Sequence, residues 1–178
     1  MAKAGIRRKT VNERNMLIIK NATLLPMPYR NFEGRATKFN PQGGDRSFGV
    51  IIDDPEIAQQ LAADGWNIKT RTSRDGSDGE DEHWLTVKVK YRRLDGSAMI
   101  PPKITIRTNN NEVYYEEENI KFLDGSDLVD VNLVINPSEW STNEKHGITA
   151  YLKSMTATLV DDSFFFDEEG TDDLPFDT

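Results

Sequence analysis

Short stretches of alternating apolar and polar residues recur along the chain between residues 16 and 160. The clearest covers residues 83–93, where Val87, Val89 and Tyr91 alternate with three cations. Successive side chains of a strand point to opposite faces, so this stretch predicts a strand with one apolar and one basic face. Further strands are predicted at 16–25, at 32–53 as two strands joined by a turn at 40–45, and at 66–72, 103–108, 119–123, 128–137 and 151–160.

One helix interrupts the strands. Asp53 or Asp54 is a suitable N-cap, Pro55 fits the first turn, and Gly65 fits the position just after the last turn of a helix over residues 56–64. Many short strands with a single helix indicate a mainly β domain, either a barrel or a sandwich.

The charge distribution divides the chain into three parts. Residues 1–14 hold five basic residues and one acidic residue, and they are predicted to be a flexible basic arm. Residues 1–160 balance 22 basic against 22 acidic residues, so the net charge of -8 comes entirely from residues 161–178. That segment is predicted to be disordered, because it has too few aliphatic residues to offset its ordering entropy. The folded domain is therefore expected to span residues 15–160.

The composition excludes several classes of site. The chain has no Cys and only two His, which excludes disulfides and disfavours a multi-histidine metal site. No apolar run is long enough to span a membrane, so we expect a soluble protein of the cytoplasm. The carboxylates at 53–54 and 116–118 fit a helix cap and a solvated loop better than a metal or acid–base site. We therefore expect no catalysis, no metal and no cofactor.

Basic and aromatic residues recur together on the predicted strands. Single-stranded nucleic acid is bound by this combination, because cations follow the phosphates while ring faces stack on bases. Cations on a solvated sheet face can also serve only solubility, and Phe32, Phe39 and Phe48 fit a core better than a stacking surface. The predicted DNA contacts are Arg35, Lys38, Arg46, Lys69, Arg71, Trp84, Lys88, Lys90, Tyr91 and Arg92.

Parts of the chain resemble the single-stranded DNA-binding proteins of tailed bacteriophages. The likeness lies in N-F-x-G-x-x-x-x-F-N-x-x-G from residue 31, in R-x-F-x-V from residue 46, and in the later NPSEW and GITAYLKSMTATL. The resemblance implies an oligonucleotide/oligosaccharide-binding (OB) fold, here a five-stranded, partly open barrel with extra strands and one short helix. It also implies protection of single strands in phage DNA replication or recombination in the bacterial host cell.

The end of the chain separately resembles the acidic C-terminus of bacterial single-stranded DNA-binding proteins, which ends in Asp-Asp-Ile-Pro-Phe and recruits replication and repair proteins. Here two further residues follow the matching Phe176. We expect the tail to compete with DNA for the basic face and to bind partner proteins, although a purely solvating tail remains an alternative. The predicted partner-binding residues are Phe164, Phe165, Phe166, Asp172, Asp173, Leu174, Pro175 and Phe176.

Two other classes of function remain open. The chain could be a non-enzymatic phage structural or assembly module whose tail is a partner-binding peptide. A small nuclease that uses the carboxylate clusters is a more distant alternative. The sequence leaves open whether the chain forms a homo-oligomer and whether the polar loop at 73–82 approaches DNA.

Overall fold

The computed structural model describes residues 3–7, 16–38, 40–71, 81–93, 96–97, 99–109 and 111–160. The predicted tail, Phe39 and nearly all of the 73–82 loop lie outside these residues. The described elements are β1 (Lys3–Arg7), β2 (Met16–Ala22), β3 (Arg30–Asn31), β4 (Arg46–Ile51), α1 (Pro55–Asp64), β5 (Ile68–Arg71), β6 (Glu82–Val89), β7 (Lys103–Arg107), β8 (Glu112–Tyr115), a 3₁₀ helix (Ile120–Gly125), β9 (Leu128–Thr142) and β10 (Lys145–Leu159). Neither described helix is long and apolar enough to cross a lipid bilayer.

Five strands form the barrel, in the order β2-β9-β10-β6-β4. Neighbouring strands are antiparallel except β6 and β10, which run parallel. The two ends of this sheet meet through a single bridge between Leu24 and Val50, with hydrogen bonds from Leu25 N to Gly49 O (2.8 Å) and Ile51 N to Thr23 O (3.0 Å). The predicted mainly β, partly open OB-type barrel is therefore confirmed.

Apolar side chains from all five barrel strands fill its interior. Phe32 and Phe48 are fully buried, with ring centroids 5.1 Å apart, as expected for core residues. Helix α1 covers the core with Ala58 and Leu61. Its predicted ends are confirmed, because the Asp54 side chain accepts a hydrogen bond from a first-turn N–H and Gly65 takes a left-handed conformation (φ 110°).

Residues 32–38, predicted as the first strand of a hairpin, form no strand. The Asp124 carboxylate accepts hydrogen bonds from the backbone N–H of Phe32 (2.6 Å) and Glu33 (3.1 Å). The Asn31 side-chain oxygen accepts from two further backbone N–H groups. Backbone donors that bond to side chains are unavailable to a neighbouring strand, so pairing with β4 stops after the two residues of β3.

Four other elements differ from the expectation. The strand predicted at 119–123 is wrong, because those residues enter the 3₁₀ helix that supplies Asp124. Residues 3–7, placed in the flexible arm, form a strand along β2, while residues 8–14 of that arm lie outside the described part of the chain. Strands β9 and β10 each extend well past their predicted lengths and pair as a ribbon up to Thr142 and Lys145.

Candidate nucleic-acid interface

The outer face formed by β5 (Ile68–Arg71) and β6 (Glu82–Val89) carries four of the predicted contact residues. Alternate side chains of β6 are buried in the core, which leaves Trp84 and Lys88 on the outside. On the neighbouring strand β5, Lys69 lies opposite Trp84 and Arg71 lies opposite Glu82. Cross-strand partners share a face of the sheet. Lys69, Arg71, Trp84 and Lys88 are therefore presented together.

A groove of about 580 Å³ lies on this face, in the region where β5, β6 and β10 meet. We call it the junction groove. Its walls include Lys69, Thr86, Lys88, Trp140, His146 and Thr149. Among the described residues, neither Lys69 nor Lys88 has an ion-pair partner or a side-chain hydrogen bond. Both ammonium groups are therefore available to an anionic ligand.

Trp140 was missed by the sequence reasoning, which ended the strand at Pro137. After Ile135, strand β9 no longer pairs with β2, and within the described ranges β10 is its one neighbouring strand. Proline is tolerated on a strand with a free edge, so β9 continues to Trp140. The side chain of Trp140 is 44% exposed and lines the junction groove. No local sequence pattern marks this ring, because Trp140 meets Gly147 only once β9 and β10 have paired. The glycine has no side chain and lets the ring lie on the backbone.

Trp84 lies in a cluster of aromatic rings on the outer face of β5 and β6. Its ring meets that of Tyr29 edge-to-face, with centroids 5.8 Å apart, and the Arg71 guanidinium lies 6.0 Å from the Trp84 centroid. Arg71 also forms an ion pair with Glu82. Tyr29 is exposed and was not among the predicted contacts. The cluster offers aromatic surface beside the unpaired cation of Lys69.

Arg46, Tyr91 and Arg92 gather instead around Glu117. Arg92 forms two hydrogen bonds to the Glu117 carboxylate (2.7 and 2.9 Å), and Arg46 lies 3.3 Å from it and 5.6 Å from the Tyr91 ring centroid. Arg46 pairs in register with Val89, whose side chain is buried, so it leaves the sheet on the core side. Both guanidinium groups are therefore neutralised away from the junction groove.

These contacts shift the pKa values of the cluster. The hydrogen bond from Arg92 lowers the pKa of Glu117, and the same bond raises the pKa of Arg92. Burial raises the pKa of Tyr91 to about 12, and its hydroxyl has no hydrogen-bond partner among the described residues. The cluster combines paired charges with a buried phenol, which is typical of a structural contact.

Arg35 has a similar structural environment. Its guanidinium lies 2.7 Å from the buried carboxylate of Asp124 and donates to the Arg30 carbonyl at 3.0 Å. Arg30, also buried, donates to the carbonyls of Leu25, Leu123 and Ser126 at 2.7–3.1 Å, and burial lowers its pKa. These bonds join the 3₁₀ helix and the residue after it to β3 and to the segment that follows β3.

The two remaining predicted cations are Lys90 and Lys38. Lys90 directly follows β6, with its Nζ 3.9 Å from Asp45 Oδ1. Lys38 is exposed in the segment that precedes β4. Neither lines the junction groove.

The carboxylate clusters have structural partners. Asp54 caps α1, and Glu117 is paired with two arginines. Within the described part of the chain, no group of three or more His, Asp or Glu side chains is arranged to hold a metal ion.

Comparison with known proteins identifies the family. The family model described as "Putative phage ssDNA-binding domain" matches residues 7–177. The fold is similar to the single-stranded DNA-binding protein from bacteriophage Enc34 in complex with ssDNA, with TM-score 0.50, 12% identity, and coverage of 87% of this chain and 95% of that one. A C-terminal truncation of the Enc34 protein gives TM-score 0.51 at 12% identity, covering 90% and 97%. No curated protein matches the chain. Since the family model covers nearly the whole sequence, the chain belongs to the phage single-stranded DNA-binding domain family.

Proposed function

We propose that this protein binds single-stranded DNA, with little sequence preference, along the outer face of β5 and β6 and into the junction groove. The observation that carries the proposal is the position of Lys69 and Lys88, two cations without ion-pair partners among the described residues, beside the exposed ring of Trp140. Family membership and the fold shared with the Enc34 protein, which is described in complex with ssDNA, support it.

Each part of this surface has a distinct role in the proposal. Lys69 and Lys88 neutralise phosphates and release counterions, which makes the affinity depend on salt. Trp140 in the groove and Trp84 on the outer face offer ring faces for bases, each stack worth about 1–3 kcal/mol. In a duplex the base faces are already stacked on their neighbours, so these rings favour a single strand.

The other predicted contacts divide into two groups. Arg35, Arg46, Tyr91 and Arg92 support the fold in this proposal, because each cation already has a carboxylate partner and the Tyr91 hydroxyl is buried. Lys38 and Lys90 are kept as secondary phosphate contacts outside the groove. DNA binding therefore depends chiefly on Lys69, Trp84 and Lys88 of the predicted set, together with Trp140. Arg71 lies on the same face, but it is already paired with Glu82.

The tail has a separate role in the proposal. Residues 161–178 carry eight acidic residues and no basic ones, and we propose that they compete with DNA for Lys69 and Lys88. When DNA occupies the groove, the tail is released to recruit proteins of phage DNA replication or recombination through its Phe and Asp-Asp-Leu-Pro-Phe residues. The protein then protects single strands and gathers partners on them, by binding alone and without a cofactor.

The proposal is tested by fluorescence anisotropy of labelled oligo-dT and a matched duplex over a salt series. We expect tight, salt-sensitive binding to the single strand and weak binding to the duplex. The Lys69→Ala/Lys88→Ala variant is compared with Lys20→Ala, which removes an exposed cation on β2 outside the groove. If neither the full chain nor a chain lacking residues 161–178 binds oligo-dT, the structural or assembly module becomes the better interpretation.

A further inference from the structure

A small apolar surface lies where the barrel ends and the tail begins. Val129 pairs with Thr158, which pairs in turn with Arg107 on β7, so the three side chains form a row across neighbouring strands. Val160 follows Thr158 by two residues. Val129 is 46% exposed and Val160 is 39% exposed. We call Val129, Thr158 and Val160 the terminal patch.

A bulge in β9 turns Val129 outward. Val131, two residues later, is buried and would share its face in a regular strand. The register between β9 and β10 shifts here, and Asp130 takes a left-handed conformation (φ 52°). Bulges re-aim side chains in this way. An apolar side chain is therefore directed out of the core at the point where the chain leaves the sheet.

The direction in which the chain leaves the sheet is also defined. Val160 N donates a hydrogen bond to Asp127 O at 2.9 Å, which holds the last described residue beside the start of β9. Phe164, Phe165 and Phe166 follow after only three intervening residues. Four residues span at most about 14 Å, so these rings can reach the terminal patch without a long loop. A tether this short gives an effective concentration on the order of millimolar.

The charges around the patch favour one direction for the chain beyond the rings. Asp127 and Asp130 lie at its near side, and Arg107, whose Nε is 3.5 Å from Glu112, lies at its far side. The residues after the three Phe are Asp-Glu-Glu. Acidic residues are repelled from Asp127 and Asp130, while Arg107, already paired with Glu112, attracts them only weakly.

We propose that Phe164–Phe166 pack on the terminal patch of their own chain and anchor the base of the tail there. The contact does not require DNA binding. Its effect on DNA rests on the function proposed above. Ile148, a groove residue on β10, precedes Val160 by 12 positions, which is a path of at most about 40 Å along an extended strand. The 12 residues after Phe166 span about the same distance when fully extended, so the anchor limits how far the acidic tip competes in the groove.

Hydrogen exchange of the full-length protein tests the anchor. We expect backbone amides of residues 163–167 to exchange about tenfold more slowly than in an unstructured chain. Val129→Asp should remove this protection. Val113→Asp should not, because Val113 is similarly exposed (41%) but pairs with buried Ile106 and lies on the opposite face of its sheet. Phe164→Ala/Phe165→Ala/Phe166→Ala, a change confined to the tail, should also remove the protection of residues 163–167.

Two results would overturn the proposal. Exchange at the unstructured rate in the parent protein would show that no anchor forms. Protection that grows with protein concentration would assign the contact to a second copy. Both results are independent of oligo-dT binding by the same samples, so loss of the anchor and loss of the proposed DNA-binding function are distinguishable.

Discussion

Trp140 and Gly147 lie opposite each other on the β9–β10 ribbon, and the indole ring lies directly on the glycine backbone. A Cβ atom at position 147 would lie 2.8 Å from Trp140 Cζ2 and 3.0 Å from Cε2. Glycine therefore holds the ring at the wall of the junction groove, and this relationship leads to the first prediction.

Gly147→Ala should displace the Trp140 ring and weaken oligo-dT binding. The ring is partly exposed and free to move, so we expect a loss of about 1 kcal/mol or more in affinity with little change in folding stability, approaching the loss in Trp140→Ala. Anisotropy with oligo-dT and urea unfolding measure the two quantities. Gly125→Ala is the control, because a Cβ there meets no atom within 4 Å. Unchanged affinity in Gly147→Ala and Trp140→Ala would remove this ring from the DNA site.

Lys69→Ala/Lys88→Ala should flatten the salt dependence of DNA binding. Each lost phosphate contact reduces the log–log slope by about 0.7 for single strands, so the double variant should lose about 1.4. Arg92→Ala should leave the slope near its parent value, because Arg92 is already paired with Glu117. If the slope instead fell in Arg92→Ala and kept its parent value in Lys69→Ala/Lys88→Ala, the binding surface would lie at the Glu117 cluster.

Asp124→Ala should destabilise the fold strongly. The buried carboxylate binds the Arg35 guanidinium and two backbone N–H groups, and removal of one partner from a buried pair typically costs about 3–5 kcal/mol. Urea unfolding measures the loss. Asp64→Ala is the control, since Asp64 is exposed in the last turn of α1, where an acidic residue is unfavourable to the helix dipole. A loss below 1 kcal/mol would show that the 3₁₀ helix is held by other contacts.

Protonation of Glu117 should lower the free energy of unfolding at acid pH. Its folded-state pKa is lowered below the ordinary value of 4.5 by the hydrogen bond from Arg92. The resulting stabilisation is present above that ordinary value and is lost as the pH falls through the lower, folded-state pKa. Glu117→Gln should therefore be less stable at pH 7 and show a flatter decline in stability as the pH falls below the ordinary value of 4.5. Glu116→Gln, which changes an exposed neighbour, should follow the parent curve in urea unfolding.

Deletion of residues 161–178 should tighten oligo-dT binding at low salt, because the acidic competitor is removed. The difference from the full chain should shrink as salt screens both interactions. If the Phe anchor limits the reach of the tail, Phe164→Ala/Phe165→Ala/Phe166→Ala should weaken oligo-dT binding, because the released tail competes more effectively. Equal affinity of the deleted and full chains at low salt would contradict competition by the tail.

Sequence patterns within a few residues determined those elements whose geometry depends only on residues adjacent in the chain. Asp54, Pro55 and Gly65 define the ends of α1 by capping and backbone preference alone. The alternation through β6 places Trp84 and Lys88 on one face, because the period of two belongs to any strand. The mainly β fold followed from the number and spacing of such segments.

Tertiary contacts decided the remaining features. Asp124 takes the backbone donors of residues 32 and 33 from 91 or more positions away, which no local pattern reveals. Glu117 neutralises Arg46 and Arg92, so two cations with the expected spacing are turned away from the groove. The sequence by itself therefore determined the fold class, the charge of the tail and one face of the interface. Packing decided which cations stay unpaired and which aromatic ring lies beside them. Both features depend on contacts between residues that are distant in the chain.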